Sequence, residues 1–84
     1  MKEIQLFYLK SCPHCTQAIK ILDAYLKEDC YKNLKIVRIE ESERPDYANQ
    51  FDYYYVPTFY VGEEKICEGS LTEQQIEEVL KKAL

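Results

Sequence analysis

The stretch Ser11-Cys12-Pro13-His14-Cys15 lies between an apolar run, Ile4-Gln5-Leu6-Phe7-Tyr8-Leu9, and a segment with helical periodicity. A pair of cysteines two residues apart at a strand-to-helix junction restricts both the local fold and the chemistry. With Cys12 as helix N-cap and Pro13 as first helical residue, proline loses nothing, because its missing N–H has no partner at that position anyway. The Cys12 sulfur then sits at the positive end of the helix dipole, beside free backbone N–H groups. A thiolate is favoured there, and the expected pKa falls well below the free value of roughly 8.5. Cys15 is one turn further in and more enclosed. Cys12 is therefore read as the attacking thiol and Cys15 as the resolving thiol. An imidazole at position 14, in the first helical turn, is placed to donate to the Cys12 thiolate or to stabilise it as a cation.

Helical spacing continues from Pro13 to about Glu28, with Cys15, Ala18, Ile19, Leu22, Tyr25 and Leu26 on one side. Residues 2–9 read as a strand buried on both faces. Asp29–Asn33 reads as a polar connection, and Leu34–Ile39 as a second strand. A strand, crossover helix and strand make a right-handed parallel unit. A short helix follows the loop at Glu41–Pro45, with Ser42 or Glu43 as cap, Tyr47, Ala48 and Phe51 facing inward, and Asp52 ending it in a left-handed conformation. Thr58–Val61 and Lys65–Glu68 read as an antiparallel pair across Gly62-Glu63-Glu64. Thr72 and Gln75 form a capping box for a last helix, with Leu71 stapled onto Ile76 and with Val79, Leu80 and Ala83 also inward. The order is βαβαββα, one α/β domain over residues 1–84 with a four-stranded mixed sheet flanked by helices.

Eighty-four residues can support one core only if most apolar side chains are buried, and a hydrophobic fraction of 46% permits that. A net charge of −4 with no basic run argues against a nucleic-acid surface. Lys2-Glu3 interrupts any apolar N-terminal run and no apolar stretch approaches membrane-spanning length, so the expected setting is cytoplasmic and reducing. Four cysteines raise the possibility of a stapled secreted scaffold, but the strand and helix periodicities suffice to build a core without staples. Cys30 and Cys67 are read as bystanders, with Cys30 more than ~20 Å from Cys12 along a straight helix.

The order of elements, with Cys12-Pro13-His14-Cys15 after the first strand and Val56-Pro57-Thr58 before the third, resembles the thioredoxin superfamily over essentially the whole chain. The length is glutaredoxin-like, while Thr58–Gly62 through Glu68–Thr72 looks more like thioredoxin. The resemblance implies a thiol–disulfide oxidoreductase that reduces or exchanges disulfides through Cys12 and Cys15 without an organic cofactor or metal. It implies a cis bond between Val56 and Pro57, pairing of the Val56 backbone with an extended substrate, and Gly69 lining the same groove. Tyr55, two residues before Pro57, is the candidate substrate rim, while Tyr53 and Tyr54 read as core or rim. The partners expected are disulfide-containing proteins or small thiols, and a recycling reductase or glutathione, acting on a monomer.

Departures from the family pattern accompany the match. Leu6 stands where thioredoxins carry a buried Asp, and Ser11 where they place an aromatic residue. Glutaredoxins have a Lys three residues before the first cysteine, whereas Lys10 is two before, and Cys67-Glu68-Gly69-Ser70 lacks their Gly-Gly. Pro13-His14 is the pair found in strongly oxidising periplasmic disulfide oxidases. Two other classes stand beside this reading. One is a non-catalytic binding module that presents the Tyr53–Pro57 groove. The other is a soft-metal chaperone holding Cu(I) between Cys12 and Cys15. A zinc site is disfavoured, because His14 is too close in sequence for the usual ligand spacing.

Overall fold

The computed structural model describes residues Met1–Leu84. Seven elements follow in order: β1 (Ile4–Tyr8), α1 (Pro13–Tyr25), β2 (Ile36–Glu40), α2 (Pro45–Ala48), β3 (Thr58–Val61), β4 (Glu64–Glu68) and α3 (Glu73–Ala83). The strands form one sheet in the order β2-β1-β3-β4. β1 and β2 are parallel, in register from Ile4 opposite Ile36 to Tyr8 opposite Glu40. β3 runs antiparallel to β1 and to β4, and the β3–β4 register shifts between Phe59 and Tyr60.

Alternation along the strands divides the apolar residues between two faces. Ile4, Leu6, Phe59 and Val61 pack with Ala18 and Leu22 of α1 and with Ile76, Val79, Leu80 and Ala83 of α3. Burying a side chain as completely as Leu22 stabilises the fold by about 1.5–3 kcal/mol. Phe7, Ile39 and Tyr60 pack with Ala48 in a second cluster, edged by Tyr47, Phe51, Tyr53 and Val56. Four residues of α2 cannot cover a sheet face alone. Aromatic rings complete the layer: Phe7 lies 4.8 Å from Phe51 and 5.1 Å from Tyr53, centroid to centroid.

The local rules hold at the start of α3. Thr72 Oγ1 accepts the Gln75 N–H at 3.2 Å and Gln75 Oε1 accepts the Thr72 N–H at 2.9 Å, completing the capping box. Leu71 is half-buried against the cluster that contains Ile76.

Other boundaries differ from the sequence reading. β1 begins at Ile4, and β2 spans Ile36–Glu40 because its register against β1 carries it to the end of that strand. Helix α1 stops at Tyr25 rather than Glu28. The chain then tightens into turns, with the Glu28 N–H on the Tyr25 carbonyl and the Tyr31 N–H on the Glu28 carbonyl. These turns carry Tyr31 into the core, where its hydroxyl donates to Glu77 at 3.1 Å, so Asp29–Asn33 is not a wholly polar connection. Arg44, not Ser42 or Glu43, is the N-cap of α2 and makes no side-chain capping bond. Ser42 is instead drawn to the buried carboxylate of Glu40. Asp52 does not adopt a left-handed conformation; positive φ occurs only at Gly62 and Gly69.

Candidate active site

Cys12 is the N-cap of α1, with φ −89° and ψ 117°, and Pro13 opens the helix. The Cys15 N–H donates to Cys12 Sγ at 3.4 Å. Cys15 is buried one turn along, and its sulfur accepts the Leu9 N–H at 3.5 Å. The four cysteines, Cys12 and Cys15 among them, are free thiols.

The two thiols are driven in opposite directions. Desolvation pushes Cys12 up, but the Cys15 thiol and the backbone N–H groups of Cys15 and His14 outweigh it, and the net shift is downward. Burial pushes Cys15 up to about 12, and the Cys12 and Glu41 charges add to that rise against the Leu9 N–H. The half-buried Cys12 therefore ionises more readily than an ordinary thiol, while the buried Cys15 stays a thiol at neutral pH. His14 acts on the Cys12 sulfur through its backbone N–H, while its side chain is exposed. Pro13 is exposed beside it and supplies the helix start.

A second segment faces the cysteines. The Val56–Pro57 peptide is cis, and the Cys12 thiol points at the Val56 carbonyl across 3.9 Å. Val56 is half-buried and Pro57 buried, whereas Tyr54 and Tyr55 are 84% and 69% exposed. The Gly69 N–H donates to the Pro57 carbonyl at 2.9 Å, so the end of β4 lies against the same turn. A Cβ on Gly69 would lie 3.7 Å from Cβ of Tyr55. The structure thus brings together Cys12, Cys15, Val56, Pro57 and Gly69, with Tyr55 at the rim. Tyr53 turns the other way, packs on Phe7, and donates its hydroxyl to Glu41 at 2.7 Å.

Three acidic residues at this site had no assigned part in the sequence reading. Glu40 accepts the Lys10 N–H at 2.9 Å and the Ser42 N–H at 2.7 Å, tying the loop before Cys12 to the end of β2. The Ser42 hydroxyl and these N–H groups hold its carboxyl below the usual range. Glu41 places negative charge toward Cys15, on a chain whose β1 carries Leu6. Glu68 bonds the backbone of the tyrosine segment. A burial pattern marks Glu40 weakly, because it closes a strand; only tertiary contact reveals the other two.

No group of three or more His, Cys, Asp or Glu is positioned together to hold a metal ion. No helix is long and apolar enough to cross a membrane.

The same arrangement of strands and helices occurs in solved structures. A malarial protein superposes with a TM-score of 0.72 at 19% identity, over 96% of this chain and 94% of that one. Mitochondrial thioredoxin 3 of Saccharomyces cerevisiae, in its oxidised form, gives 0.75 at 23% identity, over 96% of this chain and 77% of that one. Oxidised thioredoxin of Plasmodium falciparum gives 0.73 at 16% identity, over 94% and 77%. At such identities the likeness is one of fold. No curated protein matches the chain by sequence. A family model described as a thioredoxin domain matches residues 2–81, and with the four-stranded mixed sheet in place the chain belongs to the thioredoxin-domain family.

Proposed function

We propose that this protein is a thiol–disulfide oxidoreductase working through Cys12 and Cys15. The observation that carries the reading is the opposed setting of the two thiols: Cys12 at the helix N-terminus is lowered and Cys15 behind it is raised to about 12. An exposed thiolate attacks, and a protonated neighbour waits until it is needed.

In the first step Cys12 thiolate attacks one sulfur of a substrate disulfide. A Cys12–substrate disulfide forms, and the other substrate sulfur leaves as a thiolate that takes up a proton. In the second step Cys15 gives up its proton and attacks Cys12 Sγ. The Cys12–Cys15 disulfide forms and the remaining substrate thiol departs. Two electrons pass from the protein dithiol to the substrate. An external dithiol reductase, or two molecules of a low-molecular-weight thiol such as glutathione, returns them. An extended substrate segment runs beside Val56, within reach of Cys12. A reducing compartment such as the cytoplasm suits this cycle.

The test is disulfide reduction with insulin as substrate. The wild type reduces it, and Cys12→Ser does not. Activity retained in Cys12→Ser removes the proposal. The direction of flow is read from the potential of the Cys12–Cys15 couple in a glutathione buffer. A value near the thioredoxin value of about −270 mV marks a general reductase, and a value above roughly −200 mV marks a couple whose reduced form the Cys12 thiolate stabilises strongly. A chain with no reversible two-electron couple would be a binding module instead.

A further inference from the structure

The segment that faces Cys12 is not held by the sheet alone. Residues Tyr54–Pro57 precede β3, and two of them expose large aromatic side chains. One side chain from the neighbouring strand grips their backbone. Glu68 closes β4 opposite Thr58 and keeps 22% of its side chain exposed. Its Oε2 accepts two successive N–H groups, Tyr54 at 2.8 Å and Tyr55 at 3.1 Å. Its Oε1 meets Lys65 Nζ at 2.6 Å. The N–H of the following residue, Gly69, donates to the Pro57 carbonyl at 2.9 Å. Glu68 at the end of β4 and Gly69 just after it therefore hold the chain on both sides of Val56.

We infer that Glu68 is a positioning residue for disulfide exchange: its carboxylate clamps the Tyr54–Tyr55 backbone and so sets where Val56 meets a polypeptide substrate. This rests on the reading of Cys12 as attacking thiol and Val56 as substrate edge. The bonds that tie the segment to the body run through Tyr54, Tyr55, Pro57 and Thr58, and the peptide left facing Cys12 is that of Val56. A carboxylate accepting N–H groups makes stronger bonds than a neutral acceptor does. The acidity of Glu68 agrees with this: Lys65, then the Tyr54 and Tyr55 N–H groups, hold its carboxyl down to about 2. The clamp thus stays charged through the working pH range. A neutral acceptor at position 68 could reach the same N–H groups but would hold them less firmly, and an apolar residue would release them.

The consequence separates substrates by size. A small disulfide needs only the Cys12 thiolate, whereas a polypeptide disulfide must also be aligned along Val56. Loss of alignment weakens productive binding of the second and leaves the first alone.

The experiment compares wild type, Glu68→Ala, Glu68→Gln and Lys65→Gln with insulin and with hydroxyethyl disulfide, and follows exchange of the Tyr54 and Tyr55 amide protons by NMR. Glu68→Ala is expected to raise KM for insulin about tenfold or more, with the rate on hydroxyethyl disulfide and the potential of the couple unchanged. The two amides lose protection in the same variant. Glu68→Gln gives an intermediate rise and partial protection, while Lys65→Gln, which spares both N–H bonds, stays close to wild type. Should Glu68→Ala fail to fold, the Gln variant carries the test. The inference is overturned if the wild-type amides exchange without protection, if Glu68→Gln leaves KM for insulin unchanged, or if both substrates lose rate together. A wild type that reduces neither substrate, with both amides protected, would instead overturn the oxidoreductase reading.

Discussion

Gly69 and Gly62 allow backbone strain to be separated from substrate access. Both have positive φ, +85° at Gly69 and +60° at Gly62. An L residue in that region costs about 1–2 kcal/mol, partly offset by a loss of unfolded-chain freedom worth about 0.4–1 kcal/mol. Neither site is crowded: an added Cβ meets Tyr55 Cβ at 3.7 Å at position 69 and Lys2 Cδ at 3.9 Å at position 62. The expected cost of either alanine is thus about 1 kcal/mol, with no cavity or clash contribution. For a domain of this size, that lowers Tm by about 4–8 °C. The functional effects should differ. Gly62 sits in the β3–β4 turn, whereas Gly69 lies against Pro57 beside Cys12. Gly69→Ala should raise KM for insulin, because its methyl group would lie against Tyr55 at the rim of the proposed substrate groove. Gly62→Ala, equally destabilised, should keep the wild-type KM. Thermal unfolding by circular dichroism and insulin reduction well below Tm give the two readouts. Equal loss of activity in both variants would refute the access argument. An unchanged Tm in both would refute the strain argument.

Two further outcomes follow from the titrating groups. Cys15→Ala removes the thiol that helps lower Cys12 but keeps the N–H at position 15. The Cys12 pKa should move up, read from thiolate absorbance near 240 nm, and mixed disulfides with substrate should accumulate. A fall in that pKa would contradict the assigned hydrogen bonds. Tyr31, raised to about 12 by burial and by Glu77, is protonated in the fold when the unfolded chain already ionises near 10. Its contribution is present below pH 10 and is lost as pH rises toward 12. Urea midpoints should therefore decline less steeply over that interval in Tyr31→Phe than in wild type; parallel declines would remove Tyr31 from the account.

Strand and helix identities were legible because burial in this sheet follows the strand and helix periods. Ile4 and Leu6 face one helix layer, Phe7 the other, and Ile76, Val79, Leu80 and Ala83 recur at helical spacing. Capping is equally local, so Thr72 and Gln75 could be paired from their separation alone. The α1 and α2 ends were not local. Tyr31 packs into the core with α1 and α3, where Glu77, forty-six residues away, accepts its hydroxyl, and Ser42 leaves its expected cap because the buried Glu40 carboxylate takes its N–H and hydroxyl. At the candidate site, the Cys12-Pro13-His14-Cys15 spacing by itself determined which thiol heads the helix and which lies a turn behind, since one helical turn sets both positions. Only the tertiary structure decided what meets those thiols. Val56 reaches Cys12, and Glu68 reaches Tyr54 and Tyr55, across contacts between elements far apart in the chain. Such pairings depend on sheet order and strand ends, which no local pattern of residues encodes.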